Sequence, residues 1–88
     1  MFKYHLLPAG LQEGAKLYIE HGIRPGGFLT ACFKDELVEA FSLADSHNSR
    51  NMEDIVRWLY SCCPMPARGS KENVNRWIKQ RGLENYNG

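Results

Sequence analysis

From Ile55 to Cys63 the sequence reads Ile-Val-Arg-Trp-Leu-Tyr-Ser-Cys-Cys, and winding it as a helix puts apolar side chains around nearly the whole axis. Arg57 and Ser61 are the polar interruptions. A helix apolar on more than one side needs more than one partner. A chain of 88 residues hides only about 60–65% of its unfolded surface when it folds alone. Its own core can cover one side of this helix, and the expectation is that the other side faces a second subunit.

The flanking sequence predicts helices as well. Pro8 suits a first turn, Leu7, Leu11, Ala15 and Tyr18/Ile19 keep a helical stripe, and Gly22 followed by Ile23 is a C-cap signature, giving a first helix over 8–21. The connector Gly22-Ile23-Arg24-Pro25-Gly26-Gly27 leads into a second from Phe28 to Ala44, where Leu29, Cys32/Phe33, Leu37, Ala40/Phe41 and Ala44 recur at three and four. Asp45 to Ser49 is a polar turn, and Asn51 is placed to cap the apolar third helix, with Glu53 and Asp54 in its first turn. After Cys63-Pro64-Met65-Pro66-Ala67-Arg68-Gly69, Ser70 caps a fourth helix that ends at Gly82-Leu83. No stretch alternates well enough for a strand. The fold class is all-α: one domain over 1–88, a compact bundle of about four short helices, with an N-terminal arm at 1–7 and a frayed, polar end at 84–88.

Composition narrows the function classes. Eleven Lys and Arg against ten Asp and Glu leave a formal charge of +1, which excludes a strongly basic nucleic-acid coat while allowing a local patch. The apolar runs are short, and Met1 to Pro8 lacks the apolar core of a signal peptide, so the expectation is a cytosolic chain that spans no membrane. Three cysteines, Cys32, Cys62 and Cys63, suggest neither a disulfide framework nor zinc; Cys32 and at least one of the adjacent pair read as small buried apolar residues.

No catalytic constellation emerges. His5, His21 and His47 lack a partner at metal-binding spacing, and His21 is more simply read at the negative end of a helix. The expectation is a protein that is not an enzyme and carries no metal and no cofactor. Three segments have binding chemistry, each with a plain structural alternative. Pro25-Gly26-Gly27 before a helix offers free backbone amides to a phosphate, with Arg24 and Thr30 beside it, or is a tight interhelical turn. Arg68-Gly69-Ser70 brings a guanidinium to a helix start, to grip a phosphate or to sit in solvent. Phe2-Lys3-Tyr4-His5 interleaves aromatic and cationic groups, as a surface for bases and phosphates requires, or docks an arm onto the helices. Residues 71–81 carry the Asn, Arg, Lys and Gln of a DNA-reading helix, and a small DNA-binding regulator is the alternative reading. The long, proline-bearing connector before it does not suit a helix-turn-helix.

Ile19-Glu20-His21-Gly22-Ile23-Arg24-Pro25-Gly26-Gly27-Phe28-Leu29-Thr30-Ala31, continued by Asp35-Glu36-Leu37, Ala40 and Ala44-Asp45 to Asn48, resembles a family of small phage proteins. Pro66, Gly69-Ser70, Val74 and Trp77 extend the likeness. The family is the anti-CBASS type 2 group of cyclic-oligonucleotide sponges. The resemblance implies a helical, symmetric homo-oligomer, a hexamer, that works in the host cytoplasm. It would sequester cyclic dinucleotides and trinucleotides without degrading them, so that host CBASS effectors stay unactivated. It places the family's stacking tyrosine at Tyr4 and carries Thr30 over within the matched motif; Lys16, Arg24 and Arg68 are assigned to phosphates from charge and position. Arg68 stands where the family often has an aromatic residue.

This reading agrees with the residues in three ways. Sequestration needs affinity rather than turnover. A cyclic dinucleotide is nearly two-fold symmetric, so a pocket on a two-fold subunit interface presents each side chain twice. The apolar third helix separately asks for a neighbour. The expected ligand site is Tyr4, Lys16, Arg24, Thr30 and Arg68, with no polymeric nucleic acid as partner.

Overall fold

The structure, a computed structural model, describes residues 2–86. These residues form six α-helices linked by turns and no strand, the all-α class that the helical spacing predicts. Helix α1 (Ala9–His21) stops at Gly22, whose φ of 67° turns its amide back to the Tyr18 carbonyl at 2.9 Å.

The segment expected as one helix from Phe28 to Ala44 is two, α2 (Gly27–Phe33) and α3 (Leu37–Leu43). Asp35, at φ 63°, supplies the left-handed residue that ends α2. Its amide donates to the Cys32 carbonyl at 3.1 Å and the Glu36 amide to the Ala31 carbonyl at 3.0 Å, the paired bonds of a Schellman cap. The Phe33 carbonyl, which a continuing helix would offer to Leu37, instead accepts from the Gly69 amide at 2.8 Å. Phe33 is thereby held fully buried between Tyr18, at a ring separation of 4.3 Å, and Trp58, at 6.3 Å.

The polar turn after Ala44 is itself a short helix, α4 (Ser46–Arg50), capped by Asp45 Oδ1, which accepts from the Asn48 amide at 2.7 Å. Asn51 does not cap α5 (Met52–Ser61) with its side chain. It closes α4, its backbone is not extended, and its side-chain amide turns back to donate to the His47 carbonyl at 2.7 Å.

Helix α5 finds its cover within the chain. Met52, Ile55, Trp58 and Leu59 are buried, and Val56 and Cys62 pack against the core. The N-terminal arm supplies the second side: Trp58 Nε1 donates to the Phe2 carbonyl at 2.7 Å. Tyr60 remains 56% exposed, with the Arg68 guanidinium 4.4 Å above its ring. The first residues of the chain thus cover the Trp58 part of the second face, while Arg57, Tyr60 and Ser61 stay exposed. Exposed apolar side chains gather instead on α3, where Val38, Phe41 and Leu43 face outward and only Ala40 is buried.

A turn at Met65–Ala67 leads to α6 (Lys71–Lys79), which Ser70 caps as expected, its Oγ accepting from the Asn73 amide at 3.1 Å. Val74 and Trp77 are buried, and Trp77 Nε1 donates to the carbonyls of Tyr18 at 3.1 Å and Ile19 at 3.2 Å at the end of α1. At the start of the expected frayed end, Glu84 and Tyr86 make contacts with the body of the protein. Glu84 accepts from His21 Nδ1 at 2.7 Å, and the Tyr86 ring lies 5.3 Å from that of Trp77. Residues 87 and 88 of that expected end, and Met1 of the arm, lie outside the described residues. Cys32 and Cys63 are buried and Cys62 is half-buried, all three as free thiols. Among the described residues no helix is long and apolar enough to cross a membrane.

Candidate functional site

The N-terminal arm is folded onto the helices. Lys3 takes a left-handed backbone (φ 48°), its carbonyl accepts from the Leu6 amide at 3.0 Å, and the turn Tyr4–Leu6 follows. Buried Leu7 anchors this turn at one end and the Trp58–Phe2 hydrogen bond at the other. Tyr4 is set between Phe2 and Trp58, with each ring centre 6.1 Å away. Its hydroxyl donates to Glu20 Oε2, on the last turn of α1, at 3.1 Å. Burial, reinforced by the neighbouring Glu20 carboxylate, pushes the Tyr4 phenol well above its ordinary value, so the ring keeps its proton and stays a donor.

Tyr4 and Glu20 face a groove of about 670 Å³, closed by Phe2, Lys3, Pro64, Leu83 and Tyr86. That size lies within the roughly 300–1,000 Å³ of small-molecule sites. The walls are aromatic and aliphatic, and the side-chain charges are one ammonium, on Lys3, and one carboxylate, on Glu20. Such a groove can stack a flat ring, neutralise one anionic group and accept hydrogen bonds from an edge.

The other expected residues are not gathered there. Arg24 and Thr30 share a separate hollow of about 170 Å³ with Lys34, Glu36 and Glu39, and it has no lining residue in common with the groove. Thr30 is buried and its hydroxyl donates to the Pro25 carbonyl at 3.0 Å, so it fastens the interhelical turn. Helix α2 has only seven residues, too few to build the strong end charge that anion binding at a helix start draws on. Lys16 is exposed one turn before Glu20 on α1 and lines neither hollow. Arg68 lines neither hollow and lies over Tyr60, whose hydroxyl donates to Asp35 Oδ1 at 3.2 Å. One chain thus presents Tyr4 in a groove and the assigned phosphate contacts elsewhere.

Sequence reasoning missed Glu20, read as part of a helix end, and Tyr86, read as part of a loose terminus. The basic helix of the alternative, DNA-binding reading is partly engaged internally. Asn73 Nδ2 donates to the Arg68 carbonyl at 2.9 Å, Gln80 Nε2 to the Gly82 carbonyl at 3.2 Å, and Arg76 to Asn73 Oδ1 at 3.2 Å. Comparison with protein-family models, with curated proteins and with solved structures finds no match for this chain.

Proposed function

We propose that this protein binds cyclic oligonucleotides, dinucleotides first among them, and holds them unaltered, acting in the host cytoplasm to keep CBASS effectors from being activated. The observation that carries the reading is the groove in which Tyr4, with Phe2 and Tyr86, forms an aromatic wall beside Lys3. A nucleobase stacks on such rings with about 1–3 kcal/mol per base, and the Lys3 ammonium meets a phosphate. The likeness of residues 19–48 to the sponge family supports the same ligand class.

The working form in this proposal is a symmetric homo-oligomer, a hexamer as in that family. The exposed Val38, Phe41 and Leu43 of α3 supply the apolar surface for subunit contact, in place of the α5 face. Assembly also offers a way for Arg24, Lys16 or Arg68 of one subunit to reach a ligand held by another, since within one chain they stand apart from Tyr4.

The test is titration calorimetry with a cyclic dinucleotide, followed by denaturation and chromatography of the released ligand, with native mass spectrometry for the assembly. Tight binding and intact ligand are expected. Linear product would make the protein a phosphodiesterase, and a steeply salt-dependent shift with duplex DNA, without cyclic-nucleotide binding, would favour the basic helix as the working surface.

A further inference from the structure

We propose that Glu20 makes the aromatic groove selective for guanine, so that the preferred ligands are guanine-bearing cyclic dinucleotides; this rests on the cyclic-nucleotide reading above. Aromatic rings hold every base, because every base has a π face, and so the rings of Phe2, Tyr4 and Tyr86 confer affinity without choosing among bases. Choice comes from the groups that meet the edge of the base. Among the side chains lining this groove, Glu20 is the one acidic group.

Its position is fixed rather than loose. Glu20 is half-buried at the end of α1, and its Oε2 accepts from the Tyr4 hydroxyl at 3.1 Å. The carboxylate therefore stands at the hydroxyl end of the very ring proposed to stack on the base. A base lying against Tyr4 turns an edge towards it.

A carboxylate accepts hydrogen bonds and donates none, and two parallel bonds need two adjacent donors. On its pairing edge guanine has them, N1–H beside the N2 amino group. Adenine and cytosine each put an amino donor next to a ring-nitrogen acceptor, and uracil puts one N–H between two carbonyls. Each of these sets an acceptor against the carboxylate. Guanine is the base whose pairing edge matches Glu20, while Lys3 remains for the phosphate.

Exchange of Glu20 for glutamine reverses part of this logic, because an amide accepts through one atom and donates through the other, the pattern that suits adenine. The experiment is calorimetry of the wild-type protein and Glu20→Gln with cyclic di-GMP and cyclic di-AMP, with a thermal melt of each protein. The wild type should bind cyclic di-GMP at least about tenfold more tightly than cyclic di-AMP, the worth of a good paired contact. Glu20→Gln should shift that ratio towards cyclic di-AMP by about tenfold or more. Equal wild-type affinities overturn the selectivity and leave the cyclic-nucleotide reading standing. A wild-type preference for cyclic di-GMP that survives in a folded Glu20→Gln assigns the choice to another group and overturns the role of Glu20. If Glu20→Gln does not fold, Glu20→Asp, which keeps the charge but withdraws it by one methylene, should reduce the preference, and an undiminished preference overturns the proposal. Binding of neither ligand removes the cyclic-dinucleotide reading itself, and this inference with it.

Discussion

The hydroxyl of Tyr18 donates to the backbone carbonyl of Ala67 at 2.5 Å, and both residues are fully buried. This bond ties the C-terminal part of α1 to the connector between α5 and α6. On the other side of that connector the Gly69 amide holds the Phe33 carbonyl at 2.8 Å. The path of residues 64–70 is thus set by hydrogen bonds reaching into the core, and with it the place of Pro64 in the groove wall.

Replacing Tyr18 by phenylalanine keeps the ring against Phe33 and removes this donor. A buried carbonyl left without its partner costs about 1–3 kcal/mol. Tyr18→Phe should therefore lower the urea midpoint by a corresponding amount without changing the helical circular-dichroism spectrum. An unchanged midpoint would show that the Ala67 carbonyl finds another donor.

Two glycines allow the ends of α1 and α6 to meet backbone to backbone. A Cβ at Gly82, where φ is 61°, would collide with the Ile19 carbonyl and lie 2.8 Å from the Gly22 amide. Gly82→Ala combines a left-handed backbone with overpacking and should cost about 2–4 kcal/mol. At Gly10, in the first turn of α1, such a Cβ would meet nothing within 4 Å beyond its own helix. Gly10→Ala should instead stabilise the helix by about 0.5–1 kcal/mol. Parallel thermal melts of the two variants check both signs.

The sequence foretells most where the cause is local. Gly22 and Ser70 end and begin helices through bonds to residues three or four away, and their roles are readable from spacing alone. The break at Asp35 is different. No glycine or proline marks it, and what ends α2 there includes a contact with Gly69, far along the chain. The same limit hid Glu20, whose partner Tyr4 lies sixteen residues earlier. It also obscured the cover on α5, which comes from Phe2 and Tyr4, more than fifty residues earlier in the chain. Sequence shows the charge of Arg68 and not the Tyr60 ring beneath it.

Burial pushes the Cys32 thiol from 9.0 up to about 12, and it does the same for Cys63, where it outweighs the opposing pull of Arg68. The native state keeps protons that the unfolded chain releases. Stability from this source is fully present below about pH 9 and is lost as pH rises towards 12. Tyr18, whose phenol is also raised chiefly by burial, adds to the same slope at the alkaline end. Urea melts followed by tryptophan fluorescence should give a steady midpoint up to about pH 8.5 and a falling one above it. A midpoint that holds to about pH 11 would contradict this.

Tyr4 joins the arm, the core and the proposed ligand, and these roles can be separated by two substitutions. Tyr4→Phe removes the hydroxyl that meets Glu20 and leaves the ring between Phe2 and Trp58. Tyr4→Ala removes both. If the ring stacks on a base, Tyr4→Ala should weaken cyclic-dinucleotide binding by roughly ten- to a hundredfold, whereas Tyr4→Phe should keep most of the affinity and lose part of any preference among bases, since the hydroxyl orients the carboxylate. Loss of the ring also uncovers Trp58, so a lower melting temperature is expected for Tyr4→Ala. Native mass spectrometry distinguishes that effect from a change of assembly: subunit contact is proposed on α3, away from the arm, and the oligomer mass should be the same in both variants. Unaltered affinity in a folded Tyr4→Ala would take Tyr4 out of the ligand site and leave it the structural task of covering Trp58.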